Sequence, residues 1–159
     1  MRRGHANTIK YIDDQRLIFI PIKINGVRGY ALVDTGAEKS FVNQVFARRS
    51  KGIPDISESE SMQGSDLKRK TAQMHTFRDL RFGDNRIAKF RIPVLATDMF
   101  SELGYADEPM MVMGMDLLHH FRLQVDRKRK RITFVHHDRQ TGQTAARLER
   151  SRIHEIARY

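Results

Sequence analysis

Apolar and polar residues alternate along the chain in short blocks that read mostly as strands. From Leu17 to Ile24 nearly every residue is apolar (Leu-Ile-Phe-Ile-Pro-Ile-Lys-Ile). The β-branched enrichment predicts a strand buried on both faces or nearly so. Pro21 cannot donate to a ladder, which places it near an edge or a bulge. Asn25-Gly26 marks a tight hairpin turn, so the chain returns as Val27 to Val33. Two further strands are predicted over 71–82 and 86–95, around Gly83-Asp84-Asn85. Their core candidates are Phe77, Leu80 and Phe82, then Ile87, Phe90, Ile92, Val94 and Leu95. Met110 to Met113 reads as a short apolar strand turned by Gly114. Leu123 to Val125 and Arg131 to Val135, joined by a basic turn, read as a closing hairpin.

Between these strands the pattern changes. Phe41, Val42, Val45 and Phe46 share one helical face, which predicts a short helix within 38–49, ended by Gly52 and Pro54. Asp116 is placed to cap a second helix running to about Phe121. Residues 55–66 are acidic and serine-rich around Gly64-Ser65, as in a hairpin, and 97–109 reads as a polar loop. The polar residues 1–15 predict an irregular arm, free to pair with a partner chain. Residues 137–159 form a basic tail in which 144–159 could be helical. One domain, residues 16–136, is left between them. A chain of 159 residues suits one core with tails better than two domains.

Composition removes several chemistries. The chain has no cysteine, so disulfides, thiolate nucleophiles and zinc-cysteine sites are excluded. No apolar run approaches the roughly 18 residues of a membrane span, and no apolar segment follows Met1-Arg2-Arg3 as in a signal peptide. A cytoplasmic protein without membrane contact is expected. The formal charge of +10 raises the question of nucleic acid or an acidic partner. Much of it sits in Lys68-Arg69-Lys70, in Arg127 to Arg131 and in the tail, so solvated turns are favoured over a nucleic-acid surface.

The sharpest chemical candidate is Asp34, delivered by the apolar run Tyr30 to Val33 into the turn Asp34-Thr35-Gly36-Ala37. Small residues at Gly36 and Ala37 let a second backbone come close. The Thr35 hydroxyl can hold that neighbour. The pairs His119-His120 and His136-His137 invite a metal reading, but adjacent side chains point about 100° apart on a helix and to opposite faces of a strand. No metal site and no cofactor are expected. Ser40, Ser61 and Ser65 lack a nucleophile-elbow context. Asp84 and Asp98 read as turn or surface residues, and Asp116 as a helix cap.

Strand-Asp-Thr-Gly-Ala followed about eighty residues later by Met111-Val112-Met113-Gly114-Met115-Asp116-Leu117-Leu118 resembles the retropepsin-like aspartic proteases, over roughly residues 17–135. The resemblance implies an all-β fold with short helices: a small, partly closed acid-protease barrel, one domain per chain, with its active site completed by dimerisation. It implies Asp34, Thr35 and Gly36 as catalytic residues. Ala37, Met113 and Gly114 would line the substrate site, together with a flap tipped by Gln63, Gly64 and Ser65, where glycine supplies the freedom a lid needs. A homodimer hydrolysing peptide or protein substrates follows. Two other classes share these residues: an idle dimerisation or adaptor module of the same fold, and a basic protein that binds nucleic acid or an acidic partner.

Overall fold

The computed structural model describes residues 6–63 and 69–137, with the backbone alone for 57–63 and 69–71. The strands are β1 (Ala6–Lys10), β2 (Ile12–Asp14), β3 (Leu17–Ile24), β4 (Val27–Val33), β5 (Phe41–Val42), β6 (Ile53–Gln63), β7 (Arg69–Phe82), β8 (Asn85–Val94), β9 (Met110–Met113), β10 (Phe121–Asp126) and β11 (Arg131–His136). Three short helices interrupt them: α1 (Gln44–Arg49), α2 (Met99–Glu102) and α3 (Met115–Leu118). The larger sheet runs β2-β3-β4-β9-β5-β8-β7-β6. Because β3 also pairs with β7, the six strands between them close into a barrel. The smaller sheet, β1-β11-β10, adds to the same core.

Alternation on β3 shows how the barrel fills. Ile20, Ile22 and Ile24 are buried in the main core, while Pro21 and Lys23 are exposed. Burial on both faces therefore holds only at Phe19-Ile20. There the outer face is covered by Phe100 and by Tyr105, whose ring lies 5.4 Å from that of Phe19. Pro21 lies beyond the β2 ladder, which ends at Phe19, and before the β7 ladder, which begins at Lys23. Its opposite residue, Tyr30, donates its N–H away from β3, to Pro109 O at 3.1 Å. The missing N–H of Pro21 thus falls where no strand needs it.

Four expectations are corrected. Residues 6–14 are not an irregular arm: β1 pairs with β11 of its own chain from Ala6↔Val135 to Lys10↔Arg131, and β2 pairs with β3. Asn7 is buried there and donates to Phe82 O at 3.1 Å. Phe41 and Val42 are extended, with Val42 held between Met111 and Val94, so the helix is only α1. It starts at Asn43, whose Oδ1 accepts from Phe46 N at 3.0 Å. The 97–109 segment contains α2 and covers the outer cluster of Phe19, Leu32, Met110 and Val112. Finally, α3 stops at Leu118, and Phe121 opens β10, where its ring meets Phe134 edge-on. The predicted tail helix over 144–159 lies outside the described residues.

Candidate active site

The site begins with a parallel pair. β4 and β9 run side by side with Val33 opposite Met113, which brings together stretches of chain eighty residues apart, Tyr30↔Met110 through Val33↔Met113. Both strands are core strands, and all four residues of β9 are buried. The ladder extends one step past β4: Asp34 N donates to Met113 O at 3.0 Å. There the chain turns. Asp34 Oδ1 accepts from Gly36 N at 2.9 Å, and Ala37 N donates to Asp34 O at 3.2 Å. An Asx turn of this kind orients one carboxylate oxygen with a backbone donor. Asp34 is half-buried, and Oδ2 has no hydrogen-bond partner among the described residues. The half-buried Thr35 hydroxyl likewise has none among them.

A second turn clasps the first. Met115 N donates to Ala37 O at 2.7 Å and Asp116 N to Glu38 O at 3.1 Å. Gly114 permits this approach: a Cβ there would stand 2.8 Å from Ala37 O and 2.9 Å from Lys39 O. Ser40, fully buried, is the pin. Its Oγ accepts from Gly114 N at 2.9 Å and donates to Asp116 Oδ1 at 2.6 Å, while its N–H reaches both Asp116 oxygens at 3.0 Å. Asp116 does not cap α3 as expected. Gly114 stands at the N-cap without a side-chain bond, and Asp116 locks the loop that follows Asp34 onto the start of α3.

Asp34, Thr35, Gly36, Ala37, Met113 and Gly114 are therefore brought together. Gln63 ends β6, where its backbone pairs with Arg69; Gly64 and Ser65 lie outside the described residues. Sequence reasoning missed Ser40 and Asp116 as a unit. They are 76 residues apart, and each has an ordinary local explanation. It also treated the histidine pairs separately. In the fold the His119 and His120 rings lie tilted against each other with centres 3.9 Å apart, and His137 N donates to His120 O at 3.2 Å. Partial burial, then the neighbouring His119, His136 and His137, push the His120 pKa down, against a smaller upward pull from Asp116.

A closed six-stranded barrel with an Asp-bearing turn clasped by a glycine turn from a parallel neighbour is a retropepsin-like fold. The family model for aspartyl protease matches residues 20–117, more than half of the chain, and the chain belongs to that family. No curated protein matches it. Among solved structures it is similar to a retropepsin-like aspartic protease from Rickettsia conorii, with TM-score 0.54 and 17% identity over 82% of this chain and 92% of that one. A further similarity is to the retroviral protease-like domain of Ddi1 from Leishmania major, with TM-score 0.45 and 19% identity over 75% of this chain and 91% of that one. No helix among the described residues is long and apolar enough to cross a membrane.

Proposed function

We propose that this protein is an aspartic endopeptidase whose active site forms between two copies, each contributing Asp34. The carrying observation is the unequal use of two carboxylates in one clasp. Both oxygens of Asp116 are engaged by Ser40, whereas Asp34 has one oxygen fixed by Gly36 and the other without a partner among the described residues. With Asp116 so occupied, the second catalytic acid of this reading is Asp34 of another molecule. Two-fold symmetry supplies it by bringing one patch onto its own copy.

Two carboxylates held face to face do not both ionise; they share a proton whose two dissociation steps belong to the pair. The ionised member takes a proton from a water lying between them. The water oxygen attacks the peptide carbonyl carbon, and the protonated member gives its proton to the carbonyl oxygen. In the resulting diol, a proton passes to the amide nitrogen as the C–N bond breaks, leaving a carboxyl and an amine. Gly36 N–H holds the acid in place, Thr35 reaches across to the partner's turn, and Ala37, Met113 and Gly114 border the cleft. Gln63, Gly64 and Ser65 serve as the flap.

The test uses an unstructured peptide at mildly acidic pH with wild type, Asp34→Asn and mixtures of the two. Cleavage is expected from wild type alone, and excess Asp34→Asn should suppress it by drawing wild-type chains into mixed dimers. Equal cleavage by the variant would remove Asp34 from the chemistry. A rate indifferent to mixing would remove the shared site.

A further inference from the structure

The sheet register lines up four basic residues that no reading of the linear sequence would place together. Lys23 on β3 stands directly opposite Arg28 on β4 and directly opposite Arg81 on β7, and Arg81 stands opposite Arg86 on β8. Directly opposed residues share a face, so these four form one exposed row across four strands, roughly 14 Å long at the usual strand spacing. Like charges directly opposite one another destabilise a sheet. Here they are only partly relieved: Asp79 serves both Arg81, at 3.1 Å, and Arg86, at 3.4 Å. Neither Lys23 nor Arg28 has an ion-pair partner among the described residues.

Three of the four, Lys23, Arg28 and Arg81, also border a concavity. A cavity of about 590 Å³ opens where the β3–β4 hairpin meets the β7–β8 turn, lined by Lys23, Arg28, Arg81, Tyr30, Gly83 and Glu108 among others. That volume is in the range of small-ligand sites. We propose that this cavity binds a small polyphosphate anion, with Lys23, Arg28 and Arg81 as its ligands. Guanidinium forks match phosphate oxygens, and an ammonium adds a point charge. Neighbouring cations one strand apart call for closely spaced anionic groups. Successive phosphates share a bridging oxygen and sit closer still, whereas same-side carboxylates on an extended acidic peptide lie about 7 Å apart. A half-open pocket of this size has room for a short anion but not for the long track a nucleic-acid backbone follows, and Glu108 in its lining opposes the anion rather than holding it. The proposal is independent of peptide hydrolysis.

Calorimetry with inorganic triphosphate at low and physiological salt tests it, using wild type, Lys23→Gln, Arg28→Gln, Arg81→Gln and the control Arg122→Gln, an exposed arginine on β10. Wild type is expected to bind one triphosphate per chain, with each cavity variant weaker by about tenfold or more and the control within about twofold. Without ligand, Lys23→Gln/Arg28→Gln should melt higher than wild type, because the repulsion is relieved. No binding at low salt, or a control as weak as the cavity variants, would overturn the site. So would tighter binding of a single-stranded oligonucleotide or a polyglutamate peptide with the same variant dependence. A lower melting temperature of the ligand-free double variant would show that the row holds the sheet together, and would equally defeat the proposal.

Discussion

Asp34 and Asp116 both follow short apolar strands, both adjoin a glycine turn, and both belong to one clasp between the 34–40 loop and the start of α3. Their bonding differs. Asp116 receives the Ser40 hydroxyl and N–H and the Leu117 N–H, whereas Asp34 receives Gly36 N–H on a single oxygen. A carboxylate that locks a loop is surrounded by donors, and one that is to act on water keeps an oxygen for it. The more fully bonded carboxylate thus holds Ser40, six residues after Asp34, and its bonds keep in shape the turn that carries the proposed catalytic acid.

The comparison breaks first at the chemistry. Asp34→Asn keeps the oxygen that accepts from Gly36 and should leave the melting temperature within a degree or so, yet peptide turnover should fall by about a thousandfold or more. Next comes the shape of the clasp. Gly114→Ala drives a methyl into the backbone at Ala37 and Lys39 and should destabilise the fold by about 3 kcal/mol, measured by urea unfolding. Asp116→Ala leaves the buried donors of Ser40 without an acceptor and should lose about 2 to 3 kcal/mol. Combined with Ser40→Ala it should lose less than the sum of the two, as expected for groups bonded to each other. Should Asp116→Ala instead unfold like wild type, the contrast between the two aspartates would collapse.

The smallest effect is a pH dependence beside the clasp. The folded-state pKa of His120 is lowered, so the unfolded chain takes up its proton first. Stability from this group is present above the unfolded value near 6.5, falls as pH drops through it and levels off below the folded value. Melting curves between pH 7.5 and pH 5 should show a slightly shallower decline in His120→Gln than in wild type. His119, His136, His137 and Asp116 are left in place in that variant.

Local rules recovered what local chemistry determines. Asn25-Gly26 and Gly83-Asp84-Asn85 join strands where expected, and the run into Asp34 is a core strand. The misses arise where a distant partner decides. Asn7 is buried because Phe82 O is there to accept its proton, and Phe41-Val42 is extended because β8 and β9 flank it. The Ser40–Asp116 bond and the Lys23–Arg28–Arg81–Arg86 row depend on register, which a strand's own residues do not display.

The parallel ladder between Tyr30–Val33 and Met110–Met113 also sets an order of events. A chain emerging from the ribosome makes Asp34 early, but the strand that supports it arrives almost eighty residues later. Closing so long a loop is slow and comes late in folding. A nascent or truncated polypeptide therefore carries the acid without the frame that aims it. Only the finished fold gives Asp34 the setting that the proposed chemistry needs.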